Sequence, residues 1–197
     1  MMRRAAAVLT LCGLATVAAG CGSSPPSRFY TLSGTTAAAA APSSLSIAVG
    51  PVTIPGAVDR PQMVVSTGAN QVELDEFHRW AAPLGNNISR VVAMNLGTLL
   101  GTPNVSLFPQ MLAANSDFRV AIEVQRFDST PGDSALLDAV WIVRRTADGK
   151  SDTGRTTARE PVPEKSYDAL VAAHSRAVAR LSQDIATAVR GLGGGAR

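Results

Sequence analysis

Alternating apolar and polar residues predict β-strands along much of the chain. The predicted strands are Leu45–Val49, a hairpin of Gln62–Ser66 and Gln71–Asp75, Val105–Phe108, and an antiparallel meander of 118–125, 135–145 and 155–159. Gly50-Pro51 is expected to end the first strand. Turn residues at Pro131-Gly132-Asp133 and Ala147-Asp148-Gly149 separate the strands of the meander.

Apolar residues recur at helical spacing in two further segments, about 87–100 and 166–190. Asn86 or Asn87 is placed to cap the first helix, and Gly101 follows its end. Strands on both sides of one helix, followed by a meander and a final helix, predict the α/β class. We therefore expect a single-domain sandwich of a mixed, partly antiparallel sheet with packed helices.

The N-terminal residues read as a targeting segment rather than as part of the domain. A basic start at Arg3-Arg4 precedes an uncharged apolar run that ends before Cys21, which is the pattern of a secretory signal. We assign residues 1–20 to the signal and 21–44 to a tether within which Arg28–Leu32 docks on the domain. The domain itself is placed at 45–190, and 191–197 are expected to form a disordered tail.

The chain has two cysteines, Cys12 and Cys21, and the first leaves with the signal. Ala18-Ala19-Gly20-Cys21 resembles the bacterial lipobox, in which the cysteine thiol is acylated and becomes the first mature residue. The alternative is an ordinary cleavage signal with an incidental cysteine. In enteric bacteria an Asp after the cysteine retains a lipoprotein at the inner membrane, so Gly22 favours the outer membrane.

Charge and side-chain chemistry exclude several classes of function. Removing Arg3 and Arg4 from 18 basic residues leaves 16 against 15 acidic ones, and a chain so near neutral gives no reason to expect a nucleic-acid partner. The two histidines, His78 and His174, are too few for a zinc site, and we expect no metal or cofactor. His78 has Asp75 nearby, but no nucleophile elbow accompanies it, so the sequence does not predict an enzyme.

Two segments are rich in residue types that are common in rigid loops and protein interfaces. The first is a Pro- and Gly-rich stretch that ends in Arg60, Pro61 and Gln62, and the second contains Arg79 and Trp80. Rigid loops and the residue types Arg and Trp favour protein interfaces. We therefore select Arg60, Gln62, Arg79 and Trp80 as partner-binding residues. The alternative is that Trp80 fills the core and Arg60 caps a turn.

The same segments carry a family resemblance. Val-Gly-Pro-Val-Thr-Ile-Pro at 49–55, Asp-Arg-Pro-Gln at 59–62 and His-Arg-Trp-Ala-Ala-Pro-Leu at 78–84 resemble the PqiC-type or YmbA-type lipoproteins. These form the ABC-type transport auxiliary lipoprotein family. The lipobox-like start and Phe-Tyr-Thr-Leu at 29–32 fit as well, whereas Ala18 and the Ala-rich stretch before Leu45 depart from the pattern.

This resemblance implies a role in lipid transport across the envelope. It implies a fold similar to the anticodon-binding-domain-like sandwiches and a lipid anchor, traceable with palmitate, at the periplasmic face of the outer membrane. The implied partners are a periplasmic MCE-domain protein or ABC transporter components, with a homo-oligomeric ring in some members. A lipid-binding shuttle and a purely structural envelope lipoprotein are the alternatives.

Overall fold

The computed structural model describes residues 25–34, 40–110, 113 and 115–194. The predicted signal, Cys21 and residues 195–197 lie outside this described part. Eight strands and two helices are assigned within it. The strands are β1 Arg28–Tyr30, β2 Ile47–Thr53, β3 Gln62–Gly68, β4 Gln71–Trp80, β5 Val105–Leu107, β6 Phe118–Thr130, β7 Ser134–Arg145 and β8 Ser151–Pro161. The helices are α1 Leu84–Leu100 and α2 Tyr167–Gly194.

The strands form two sheets. The large sheet has the order β5-β2-β6-β7-β8, with parallel pairing around β2 and the predicted antiparallel meander in β6, β7 and β8. The small sheet has the order β1-β4-β3, with β1 parallel and β3 antiparallel to β4. The predicted α/β sandwich with mixed pairing is confirmed. The single sheet expected from the sequence is replaced by two.

The prediction that Gly50-Pro51 ends β2 is wrong. The strand continues to Thr53 through a shift in register between Val49 and Val52. Gly50 adopts φ 121°, a backbone region in which side chains are rarely accommodated. A Cβ there would also lie 3.4 Å from Cβ of Phe108. Gly50 therefore permits a bulge after which the strand resumes its pairing.

Helix α1 begins three residues before its predicted start. Its N-cap is Pro83, which makes no side-chain cap, so the prediction of an Asn86 or Asn87 cap is wrong. Leu84 is buried and extends the apolar stripe toward the N-terminus. Asn87 is buried in the helix, where its side chain accepts a hydrogen bond of 2.8 Å from Thr31.

Helix α2 runs four residues beyond Arg190, so the predicted tail is wrong for 191–194. The extra turn forms because Leu192 packs partly against the core and its carbonyl accepts a 2.7 Å hydrogen bond from Arg145. The two helices lie side by side, joined by a bond of 3.2 Å from Asn95 to Ser182. No helix in the described ranges is long and apolar enough to cross a membrane.

The ordered domain starts before Leu45, which corrects the predicted boundary. Residues Arg28–Tyr30 pair with β4, as expected for the docking segment of the tether. Two backbone bonds then bind the later tether to the end of α1, from Ala40 to Thr98 at 3.0 Å and from Ser43 to Gly101 at 2.8 Å. Most of the described tether is therefore part of the fold.

The small sheet joins the rest of the domain through a column of rings. Trp80 of β4 meets Phe127 of β6 edge-on at 6.1 Å, and Phe127 stacks on His174 of α2 at 3.8 Å. His174 is fully buried, and its Nε2 lies 2.8 Å from the Ser129 hydroxyl. Burial lowers the pKa of His174 to about 3, because a charged imidazole cannot be hydrated there. His174 is therefore a packed core residue.

Candidate docking surface

One rung of the small sheet brings two of the predicted interface residues together. Arg79 of β4 is paired with Gln62 of β3 on one side and with Phe29 of β1 on the other. Residues paired across a sheet point to the same face. Because the next residue, Trp80, points into the core, these three side chains lie on the solvent side. The sheet thus adds an aromatic residue to the predicted pair.

Glu76 connects Arg79 to Gln62. Its carboxylate accepts a bond of 3.0 Å from Nη2 of Arg79 and one of 3.2 Å from Nε2 of Gln62. The Arg79 Nε also donates to the Glu76 backbone carbonyl at 2.9 Å. The surface at this rung is therefore polar but electrically balanced, and the Arg79 side chain is held in a fixed direction.

Arg60 and Trp80 meet in a groove of about 310 Å³ at one end of the small sheet. Its walls are the segment Asp59–Pro61 and the segment Trp80–Pro83. The backbone fixes both walls, since Trp80 N–H donates to the Pro61 carbonyl at 2.8 Å. The Nε atom of Arg60 is buried with no hydrogen-bond partner among the described residues. Arginine binds carboxylate and phosphate oxygens well, so a groove lined by Arg60 is suited to an oxygen-bearing ligand or partner.

Trp80 belongs mainly to the core. The residue is 6% exposed, and only its edge reaches the groove. Truncation to alanine would remove a packed ring from the contact with Phe127, so loss of partner binding in that variant would report on folding. This decides between the two interpretations of Trp80 in favour of core packing. Arg60, Gln62 and Arg79 are the usable probes of the surface.

The predicted neighbours His78 and Asp75 join β4 to the start of α2. Nδ1 of His78 lies 2.9 Å from Oδ2 of Asp75, and the imidazole stacks on the Tyr167 ring at 3.9 Å. Asp75 also accepts a hydrogen bond of 2.6 Å from the Tyr167 hydroxyl and bonds from the backbone N–H groups of Phe77 and His78.

Burial and hydrogen bonding shift the pKa of Asp75 in opposite directions. Burial alone would raise the pKa of Asp75, but the bonds from Tyr167 and the backbone outweigh it and lower that pKa. Burial and the bond to Asp75 raise the pKa of Tyr167. At neutral pH the carboxylate is therefore charged and the phenol protonated. Their hydrogen bond holds β4, which bulges between Asp75 and Arg79, against the start of α2. The described residues contain no group of three or more His, Cys, Asp or Glu placed to hold a metal.

Sequence reasoning missed the apolar side chains on the solvent side of this sheet. Phe29 is 65% exposed and Val72 is 62% exposed. Leu74 and Phe77 in β4 are exposed as well. The hairpin prediction placed Val72 and Leu74 in a strand, but only pairing with β3 shows which side they occupy. Val64 and Ser66 are their partners, while Met63 and Val65 fill the core side.

Comparison with known protein families identifies the family of this chain. The model of the ABC-type transport auxiliary lipoprotein component matches residues 30–186. The chain belongs to this family. The resemblance to PqiC-type lipoproteins is therefore confirmed, and the family is one of transport auxiliary components rather than of enzymes. No curated protein sequence matches the chain.

Two solved structures share the fold, and a third has a weaker similarity. The structure of an uncharacterized protein is 18% identical with a TM-score of 0.68, covering 84% of this chain and 99% of that one. Protein XCC0632 from Xanthomonas campestris, assigned to DUF330, is 17% identical with a TM-score of 0.67, covering 87% and 100%. A PelC dodecamer from Paraburkholderia phytofirmans is more distant, 14% identical with a TM-score of 0.42, covering 80% and 97%.

Proposed function

We propose that this protein is the docking component of an MCE/ABC-type intermembrane phospholipid transport system. In this proposal lipid chains on Cys21 anchor it at the periplasmic face of the outer membrane. The groove beside Arg60 and the rung of Gln62 and Arg79 receive a periplasmic MCE-domain protein or a transporter component. The chain itself performs no catalysis. The family match over residues 30–186 is the observation that carries the proposal.

The geometry of the docking surface supports it. Arg60 has a buried donor without a partner, and its groove has walls held by backbone hydrogen bonds. A surface that is already ordered loses little entropy when a partner binds. Arg79 is fixed by Glu76 beside it, so the groove and the rung form a pre-organised surface that combines apolar walls with the side chains of Arg60 and Arg79.

Charge reversal at Arg60 tests the docking role. We expect Arg60→Glu to reduce recovery of the transporter partner at least tenfold in pull-downs from solubilised envelopes, because a carboxylate would replace the guanidinium that lines the groove. Arg144→Glu is the matched control, since Arg144 is an exposed arginine on the large sheet. Equal losses in both variants, or full recovery with Arg60→Glu, would contradict the assignment of this groove.

The anchor is tested separately. Labelled palmitate should enter the wild-type chain and not the Cys21→Ala variant, because acylation requires the thiol. The variant should then move from the membrane to the soluble periplasmic fraction, since two or more acyl chains are needed for firm anchoring. An unlabelled wild-type chain would refute lipidation at Cys21, and identical fractionation of both proteins would refute its role as the anchor.

A further inference from the structure

The solvent side of the small sheet carries an apolar patch formed by Phe29, Val72, Leu74 and Phe77. Their exposed fractions are 65%, 62%, 41% and 37%. These four are half of the eight large apolar side chains that stand exposed among the described residues, and they include the two most exposed. An exposed cluster of large apolar groups usually marks a contact surface.

The patch lies close to the start of the described chain. Phe29 is in β1, whose pairing with β4 fixes it to the sheet. Six residues lie between Cys21 and Arg28, the first residue of β1, and an extended chain of these seven steps reaches at most roughly 25 Å. An anchor on Cys21 would therefore hold β1, and with it the small sheet, within this distance of the bilayer surface.

The arginine paired with Phe29 in the sheet is neutralised. Arg79, on the same side as Phe29, is paired with Glu76 at 3.0 Å. The patch itself offers phenyl and aliphatic groups. Such a surface suits the boundary between headgroups and acyl chains, where amphipathic surfaces add to the weak grip of a lipid anchor.

We propose that the apolar patch docks on the lipid bilayer beside the anchor and sets the orientation of the domain on the membrane. The inference rests on the proposed anchoring at Cys21. Arg60 is not part of the patch, because its groove is lined by Asp59–Pro61 and Trp80–Pro83. Gln62 and Arg79 share the solvent side with Phe29, so with the patch on lipid they face the membrane, and the groove beside Arg60 alone receives the protein partner.

Vesicle flotation of the unlipidated mature chain, made as Cys21→Ser, tests the patch without the anchor. Vesicles contain phosphatidylethanolamine with a minor fraction of phosphatidylglycerol. We expect the double variant Phe29→Ser with Val72→Thr to partition about tenfold more weakly, because two apolar side chains no longer enter the interface. Binding of the parent chain should persist at high salt, since it is driven by apolar contact.

The matched control carries Val140→Thr and Ile142→Ser on the solvent side of the large sheet, where these side chains are 39% and 38% exposed. This control should bind as the parent chain does. Equal loss in both double variants, absence of parent binding, or loss of binding at high salt would overturn the inference. Circular dichroism and urea unfolding of each variant establish that the compared chains are folded.

A second measurement gives the orientation directly. A fluorophore on Val72→Cys should be quenched by lipid-attached quenchers several times more strongly than one on Val140→Cys, both in the Cys21→Ser chain. Equal quenching would overturn the proposal. If the Phe29 and Val72 variant instead loses the protein partner while vesicle binding is unchanged, the patch is a protein interface and the inference is wrong. Palmitate labelling decides the anchor independently.

Discussion

The solvent sides of the two sheets expose different kinds of side chain. On the large sheet, charged residues neutralise one another, as in the pair of Arg155 in β8 with Asp138 in β7 at 2.5 Å and that of Arg159 in β8 with Asp133 in the β6–β7 turn at 2.7 Å. On the small sheet, Phe29 and Val72 face solvent. The large sheet also exposes Val140 and Ile142, at 39% and 38%, but the two most exposed apolar side chains are on the small sheet, which leaves more apolar area there for contact with a partner surface.

The inner sides of the two sheets differ in how they are buried. The large sheet is covered by both helices, so Val120, Leu137 and Val143 are fully enclosed. The small sheet meets the domain through a few anchoring side chains, above all Trp80 against Phe127 and His78 against Tyr167. Its stability therefore depends on few residues, which makes the comparison testable by mutation.

Trp80→Ala should have the largest effect. Removing a buried tryptophan leaves a cavity, and we expect the free energy of unfolding to fall by about 3–5 kcal/mol. Urea unfolding followed by circular dichroism measures the change, and Trp80→Phe, which keeps a ring next to Phe127, should recover part of it. A separate early transition of the small sheet, with the main midpoint unchanged, would show that the two sheets are not one cooperative unit.

Gly154→Ala should destabilise the large sheet next most strongly. A Cβ at this position in β8 would lie 2.2 Å from the ring of the buried Trp141, so ring or strand must shift at a cost of about 1–3 kcal/mol. Gly68→Ala in the small sheet is the matched control, because its nearest neighbour would be 3.7 Å away. Thermal denaturation compares the two variants. Equal melting temperatures would contradict close packing of Trp141 over Gly154.

Lowering the pH should reduce the free energy of unfolding, because His174 is part of the ring contacts that join the sheets. The pKa of His174 is lowered by burial to about 3, below the value near 6.5 of an unfolded chain. The folded state then binds fewer protons, so stability is lost as pH falls from 6.5 toward 3. Between pH 7 and pH 5 we expect a loss of about 2 kcal/mol, measured by urea unfolding.

The two histidines provide the control for this pH effect. His174→Gln should remove most of the loss because no imidazole remains to take up a proton, whereas His78→Gln should retain it. A wild-type chain equally stable at pH 7 and pH 5, or a His174→Gln chain with the full loss, would refute the assignment to His174.

Local patterns carried much of the fold. Apolar spacing found both helices because their stripes are continuous in sequence, and turn residues found the meander. Gly132 and Gly149 take φ 78° and 72° between its strands. The docking of Arg28–Leu32 was also predicted correctly, since a strand-like run interrupts a tether of different composition. These features depend on residues close together along the chain.

The candidate surface was predicted less well. Arg60, Gln62 and Arg79 were selected by residue type, and the structure places the last two in one rung. Trp80 is a core residue, and Phe29 was not selected. Whether a strand residue faces solvent depends on its neighbours across the sheet, and Phe29 and Arg79 are far apart in sequence. The bulge that brings Glu76 to both Gln62 and Arg79 likewise has no local signature.

The sequence by itself determined the α/β class, the helices, the meander and the family motifs, because each depends on residues that are close together along the chain. Tertiary structure alone decided that the strands divide into two sheets, that Trp80 points inward and that Phe29 points outward. The physical reason is that a strand has two faces and two edges. Which face is buried and which edge is paired depends on segments that meet only when the whole chain has folded.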